Sequence, residues 1–466
     1  MPWVAKFWWM ASDMPKQLSV WLFGQHAGNL EQVDGRLGFS YTPEWLAQTD
    51  AVLLSQSLPL QPDRFDDRAT RPFFAGLLPE GDKRKLVAQA LHVSRQNDFA
   101  LLDGIGGECA GAVTLLEPGH TPLAGDASDA SGIENTVRWL STADLVSVVD
   151  DMPRRPMLAG EQDMRLSLAG AQDKLPVVAR LESSVVQIGL PKFGSPSTHI
   201  LKPAIPGIEG SVFNEGFCMA LARALKLDVA NAVIHRIEDG QQQREFLLVE
   251  RYDRQPALVD LATLSNLITQ RVRLHQEDFC QALGFPPETK YQNEGGPDLT
   301  QSFELLRRAT RPSAPSTLRL LDFVIFNALV GNHDAHSKNF SLLYMAQGAL
   351  LAPLYDVLCT AFYPRLTDKM AMKIGSKYKF SEVQARHWEQ FAAAAQLSPA
   401  QVKKRVHDIA KRLPDLARAT QAVFEAQCSG HPILAQIVTL IDHRCDQTIR
   451  RLKATEEAPS IPPGTP

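Results

Sequence analysis

The sequence predicts an α+β fold in three parts: a small mixed domain, a sheet-rich lobe and a mainly helical C-terminal lobe. Three observations carry this. The first 116 residues alternate short strand patterns with turn residues and one helical period. Residues 174–254 hold strand-like runs broken by a single amphipathic helix. Beyond about residue 256 the apolar spacing is mainly that of helices, the period of 3.6 replacing the period of 2.

In order along the chain, "MPWVAKFWWMASDM" (1–14) is Trp-rich and too short to span a bilayer. Residues 1–15 are expected to be an extension ahead of the folded chain, with Met10 and Met14 as alternative starts. "LSVWLFGQHAGNLEQVDGRLGFSYTPEWL" (18–46) reads as strands joined by Gly and Asn turns. "FFAGLLPEGDKRKLVAQAL" (73–91) carries a Pro-Glu-Gly helix start. These define a small domain over 16–116. "EPGHTPLAGDASDASGIENT" (117–136) has linker composition.

The sheet-rich lobe is expected over 137–255. Its strands include "KLPVVARL" (174–181) and "STHILKPA" (197–204). "NEGFCMALARALKL" (214–227) is its helix, with Asn214 as expected N-cap and Phe217, Leu221, Ala224 and Leu225 on one face. "NAVIHRIEDGQQQREFLLVERYDR" (231–254) is a hairpin around an Asp-Gly turn. The helical lobe covers 256–453, interrupted by the Gly-rich "NEGGPD" (293–298), and the tail 454–466 has a disordered composition.

With 44% hydrophobic and 21% charged residues, the chain has the composition of a globular protein that can bury sizeable cores. A net charge of −4 argues against a chain devoted to nucleic-acid binding, though it allows a local basic patch. Cys109, Cys218, Cys280, Cys359, Cys428 and Cys445 are scattered and form no CxxC pair. That argues against a disulfide framework or zinc site and for a reducing, cytoplasmic setting. No targeting or membrane segment is expected.

The chemistry concentrates in "GNHDAHSKNFSLL" (331–343), where Asp334 and Asn339 stand in the spacing D-x-x-x-x-N. That spacing suits a phosphotransfer loop: its Asp accepts the acceptor hydroxyl's proton and its Asn ligates Mg²⁺. Asp356 ends the strand-like run "LLAPLY", where a carboxylate can bridge metal to phosphates. Lys202 on "THILKP" is a point charge for phosphates. The small residues Ala169, Gly170 and Ala171 let backbone amides approach phosphate oxygens. Glu250 to Tyr252 then read as an inter-lobe hinge facing adenine.

Each piece also has a plainer reading. Lys202 alone reads as a solvated strand-edge lysine and Asp356 as a turn residue; Glu215 could pair with Lys202 from the helix, or serve as a dipole partner at the helix start. The loop at 167–173 matches neither standard Gly-rich phosphate motif. His333, Asp334 and His336 could instead begin an HD-type metal-dependent phosphohydrolase, with His275 and His387 as further ligands. A catalytically silent scaffold is the third alternative. The order of small-residue loop, strand Lys, helix, hinge, D-x-x-x-x-N and strand-Asp favours a two-lobed protein-kinase-like fold.

"SLAGAQDK", "STHILKP", "VERYDR", "HQEDFCQALG", "KYQNEGGP", "NHDAHSKNFSL" and "PLYDV" occur in that order. Together they resemble HipA, the serine/threonine-kinase toxin family of bacterial type II toxin–antitoxin modules, over roughly residues 16–450. The resemblance implies ATP and Mg²⁺ as cofactors and Asp334 as catalytic base. It places Ala169, Gly170, Ala171, Gln172, Asp173 and Lys174 in the phosphate-facing loop and Lys202 on the phosphates. Glu250, Arg251 and Tyr252 become the hinge. His336, Ser337, Lys338, Asn339, Tyr355 and Asp356 line the nucleotide site, with Asn339 and Asp356 as Mg²⁺ ligands. Ser167 matches the family's autophosphorylation serine, and His333 departs from the Thr of some relatives. The implied partners are a HipB-like helix-turn-helix antitoxin, operator DNA bound through it, and a protein substrate such as glutamyl-tRNA synthetase, whose modification promotes dormancy.

Overall fold

Leu18, Val20 and Leu22 point to one side of the first strand and are buried, the period-2 pattern of a half-covered sheet. This strand, β1 (Lys16–Leu22), pairs antiparallel with β2 (Gln25–Val33), and β2 with β3 (Arg36–Tyr41). The Phe23-Gly24 and Asp34-Gly35 turns both have positive φ at both residues, the conformation that suits the twist of two-residue hairpins. Helices α1 (Asp67–Ala75), α2 (Gly81–Ala90) and α3 (Asp98–Ile105) cover the sheet, which β4 (Val113–Leu116) completes in the order β3-β2-β1-β4. Their shared core includes Phe39, Phe73, Phe74 and Leu102.

The second unit is a six-stranded sheet in the order β5-β7-β6-β8-β10-β9. Its strands are β5 (Val137–Trp139), β6 (Leu175–Glu182), β7 (Val185–Pro191), β8 (His199–Pro203), β9 (Ala232–Asp239) and β10 (Gln242–Glu250). Two helices accompany it, α4 (Thr142–Asp151) and α5 (Ser211–Ala224). The expected N-cap at Asn214 is corrected: α5 begins at Ser211 behind Gly210, whose φ of 64° only glycine adopts without strain. Asn214 is buried inside the helix. Its Oδ1 accepts the Cys359 N–H at 2.7 Å, so its amide serves a long-range contact and not the helix end.

The third unit holds α6 (Leu299–Ala309), α7 (Ser313–Val330), α8 (Ala385–Ala394), α9 (Pro399–Ala426) and α10 (Ile433–Lys453). Short ladders accompany these helices: β11 (Arg254–Pro256) with β12 (Arg271–Arg273), then β13 (Gln276–Asp278) with β14 (Ser341–Met345) and β15 (Gly348–Leu351), and β16 (Lys369–Ile374) with β17 (Lys377–Lys379). Helix α7 is long and apolar enough to cross a membrane. Leu320, Phe323, Ile325, Phe326 and Leu329 bury it in the largest core of the protein.

This computed structural model describes residues 16–122, 136–161, 163–182, 185–240, 242–256, 271–345, 348–427 and 430–453. The expected extension at 1–15, most of the expected linker, Cys428 and the tail at 454–466 lie outside them. The five described cysteines are free and buried.

The first domain is welded to the other two. Glu108, fully buried, meets Arg251 at 3.0 Å, Arg254 at 2.9 Å and Arg273 at 2.5 Å. Asp253 balances the surplus positive charge, 2.7 Å from Arg251 and 3.1 Å from Arg254. Buried charge is tolerated only when paired in this way. A second weld is His275, whose Nε2–H donates to the Leu54 carbonyl at 2.8 Å.

Burial lowers the His275 pKa from 6.5 to about 4. The unfolded chain therefore binds a proton that the folded chain refuses between those values. The contribution of this residue to stability is full above pH 6.5 and is lost as the pH falls toward 4. Denaturant unfolding from pH 7.5 to 4.5 is expected to lose stability more steeply in wild type than in His275→Phe. Parallel pH profiles would remove His275 from the account.

Candidate active site

Helix α7 stops at Gly331, whose φ is 83° and whose N–H closes the helix on the Asn327 carbonyl. The loop that follows wraps around Asp334. Asn332 Oδ1 accepts the Asp334 N–H at 3.1 Å. The Asp334 carbonyl in turn accepts the His336 N–H at 2.7 Å and the Asn339 side-chain N–H at 3.0 Å. The five-residue spacing thus folds Asn339 back onto Asp334. That bond engages the NH₂ end of the Asn339 amide and leaves its oxygen as the end for a cation.

One oxygen of the Asp334 carboxylate accepts the Tyr291 hydroxyl at 2.7 Å. Asp334 is open to solvent at the cleft, and the protein packed around it raises its carboxyl pKa, against the Tyr291 hydrogen bond and Lys290, which lower it. Burial pushes His336 down to about 3, so its ring is neutral. Its Nδ1 is buried with no partner among the described residues, an unmet polar group on the wall of the cleft. His333 turns away to the Thr367 carbonyl at 3.1 Å.

Across the cleft, Lys202 on β8 lies 2.6 Å from Glu215 of α5 and 2.8 Å from Asp356. The plain readings of Lys202 as a solvated lysine and Glu215 as a dipole partner are therefore corrected: both are buried and paired. Burial works against the Lys202 charge, but Asp356 and Glu215 outweigh it and raise its pKa. Burial opposes the Asp356 carboxylate too, and Lys202 and Lys174 hold it well below the usual range. Asp356 has φ of 59°, an uncommon left-handed conformation that Asp adopts more readily than most side-chain-bearing residues.

The small-residue loop closes one end of the same cleft, which has a volume of about 370 Å³. Ala169, Gly170, Ala171, Gln172 and Lys174 line it. Gly170 has φ of 115°, a backbone conformation that strains any residue with a Cβ, so the position favours glycine. Lys174 donates to the Ala169 carbonyl at 2.8 Å. Ile200, Val249, Glu250, Arg251 and Tyr252 line the cleft on the hinge side. The hinge backbone is held by Glu250 N–H on Asn231 O at 2.7 Å and Arg251 N–H on Thr198 O at 3.0 Å. Tyr355 also lines the cleft, and its hydroxyl donates to the Lys338 carbonyl at 2.8 Å.

Two expected residues are not on the cleft wall. Asp173 is drawn away by Lys83 of the first domain at 2.6 Å. Ser337 is buried against the Pro297 carbonyl at 3.4 Å and Met372. Lys338 does reach the wall, but its ammonium is held by Asp278 at 2.7 Å, which makes it a structural cation. Ser167 is fully buried, its Oγ donating to the Leu77 carbonyl at 2.8 Å.

The first domain contributes to the site as well: Gly76, Leu77, Glu80 and Ala110 line the cleft. Glu80 N–H donates to Gly170 O at 3.0 Å, and its carboxylate meets Lys290 at 2.7 Å. The sequence signal for Lys290 and Tyr291 is the Gly-Gly turn of "KYQNEGGP" that follows them, whereas Glu80 reads only as part of a helix start. The HD-type reading finds no support: among the described residues no group of three or more His, Cys, Asp or Glu is placed to hold a metal. His275 is spent on Leu54, and the His387 ring caps its own helix.

A strand lysine paired to a helix glutamate, a D-x-x-x-x-N loop and a strand-end aspartate around one inter-lobe cleft define a two-lobed protein with a kinase-like fold. The HipA-like C-terminal domain family matches residues 166–417, and the HipA N-terminal domain family matches 18–116. The chain belongs to the HipA family. It is 46% identical to the protein Y4mE of Sinorhizobium fredii, whose name carries the word kinase, over 88% of this chain and 92% of that one. It is 27% identical to the serine/threonine-protein kinase toxin HipA of Shewanella oneidensis, over 88% of this chain and 89% of that one. The solved complex of Shewanella oneidensis HipA, HipB and operator DNA contains a chain of the same fold. Its TM-score is 0.75 at 24% identity, covering 95% of this chain and all of that one.

Proposed function

We propose that this protein transfers the γ-phosphate of ATP, with Mg²⁺, to a serine or threonine of a protein substrate. The observation that carries this is the Lys202–Glu215–Asp356 cluster facing Asp334 and Asn339 across one cleft. The residues fit the cofactors. Asn339 has an amide oxygen left over, and Asp356 is an ionised carboxylate kept beside lysines. Mg²⁺ on these two would neutralise phosphate charge. Lys202 and the amides of 169–171 orient the phosphates, and Asp334 takes the acceptor proton. The test is label transfer from radioactive ATP to protein, with and without Mg²⁺.

The family membership supports the wider reading. The protein acts in the cytoplasm as the toxin of a two-component module. A HipB-like helix-turn-helix protein restrains it and carries it to operator DNA. Its substrate is an aminoacyl-tRNA synthetase such as glutamyl-tRNA synthetase, whose modification slows translation and promotes dormancy. The phosphoproteome of cells after induction, compared with the Asp334→Asn form, names the substrate.

Ser167 is the proposed autophosphorylation site. Its hydroxyl is buried on Leu77, so the loop 167–174 must leave its seat for the serine to react. A phosphoserine adds about −1.5 to −2 charges and cannot return to a site that offers it a backbone carbonyl. The loop then stays displaced and the phosphate amides are lost. Mass spectrometry after incubation with MgATP is expected to show phosphate on Ser167 in wild type and none in Asp334→Asn. Full activity in a homogeneously phosphorylated sample would end this account.

A further inference from the structure

Three consecutive residues of the Gly-Gly loop each clasp a different part of the molecule. Lys290 pairs with Glu80 of the first domain at 2.7 Å. Tyr291 donates its hydroxyl to Asp334 Oδ1 at 2.7 Å. Gln292 Oε1 accepts the Lys373 N–H of β16 at 2.7 Å. β16 itself runs beside the catalytic loop, its Ala371 N–H on the His333 carbonyl at 2.8 Å.

The loop is built to hold this posture. Glu294 N–H and Gly296 N–H both donate to the Tyr291 carbonyl, at 3.0 and 2.9 Å. Gly295 has φ of 91°, and a Cβ on Gly296 would lie 2.2 Å from the Thr289 carbonyl oxygen. Only Gly-Gly permits so tight a turn. The Tyr291 ring packs edge-on against His336 at 5.2 Å between centroids, and Lys290 Nζ sits 5.5 Å from it. The hydroxyl is thereby aimed at one carboxylate oxygen.

We propose that Tyr291 is a positioning residue for phosphate transfer: it pins one oxygen of Asp334 so that the other faces the acceptor hydroxyl. This rests on the reading of Asp334 as the base. A carboxylate on a freely rotating χ2 spends much of its time misdirected. A hydroxyl donor of fixed position removes that freedom, and bonds to charged acceptors are the stronger kind. Lys290 and Gln292 anchor the loop at both sides of Tyr291, so the position of the base is registered against the first domain and against β16.

The experiment is a double-mutant cycle in the full chain, with Tyr291→Phe, Asp334→Asn and the double variant. Phe keeps the ring packing and removes only the donor. Tyr291→Phe is expected to lower kcat about 10- to 100-fold, the loss of one hydrogen bond to a charged group. The KM for ATP and the melting temperature are expected to stay at wild-type values. In the Asp334→Asn background the same substitution is expected to change the residual rate less than 2-fold, roughly the limit of non-interacting error in such cycles. Asp334→Asn as active as wild type would overturn the assignment of the base itself. With that variant reduced to a low residual rate, a wild-type or faster rate in Tyr291→Phe would overturn the positioning role. So would full additivity in the cycle, or a loss seen in ATP binding instead of kcat.

Discussion

Asp334→Asn is expected to lower phosphate transfer by roughly 10²–10⁴, the usual contribution of a positioned general base. The substitution is nearly isosteric. The amide oxygen can still accept the Tyr291 hydroxyl, and the backbone carbonyl still accepts from His336 and Asn339. The loop therefore keeps its shape while losing the carboxylate proposed to take the proton. ATP binding, measured by calorimetric titration, is expected to persist, because the residues proposed to hold the phosphates, Ala169 to Ala171 and Lys202, lie on the opposite wall. A variant that transfers phosphate within a few-fold of wild type would move the base to another residue.

Lys202→Met is expected to abolish transfer and to destabilise the fold together. Lys202 and Glu215 are buried, with side-chain exposures of 7% and 2%, and Lys202 also carries Asp356. Removing the ammonium takes the nearest counter-charge from Glu215 and Asp356 and leaves only Lys174 near them. Breaking a buried pair in this way costs about 3–5 kcal/mol. The same argument separates stability from function. Adding Glu215→Leu removes one stranded carboxylate and is expected to restore much of the melting temperature, since an apolar pair can replace a buried ion pair. Phosphate transfer is expected to stay lost, because Lys174, the other lysine near Asp356, is turned onto the Ala169 carbonyl at 2.8 Å. Thermal unfolding and label transfer on the two variants check both halves. Recovery of activity in the double variant would show that Lys202 serves only the fold.

Some of this site was legible from residue order. Asp334 and Asn339 share one loop, and a five-residue spacing is a local fact that survives any tertiary arrangement. The hairpin of 231–254 announced itself by period-2 alternation around Asp-Gly, and β9 and β10 pair around it. Asn214 misled for the complementary reason. It belongs to a residue type that caps helices, yet the protein uses its amide on Cys359, 145 residues away. Local preference yields where a tertiary hydrogen bond is stronger than a cap.

By itself the sequence determined the chemistry available and its order: a small-residue loop, a strand lysine, a helix glutamate, an aspartate–asparagine loop and a strand-end aspartate. It also determined the element types around them, because hydrophobic period and turn residues act over a few positions. Only the tertiary structure decided which charges meet. It placed Glu80 of the first domain in the cleft, set Tyr291 on Asp334, turned Ser337 and Asp173 away and tied Lys338 to Asp278. Glu108 finds Arg251 143 residues further on. The physical reason is that burial makes an unpaired charge costly wherever it sits, so each buried charge takes its partner from whatever packs against it. That neighbour is set by how the sheets and helices stack, and no local pattern in the chain records it.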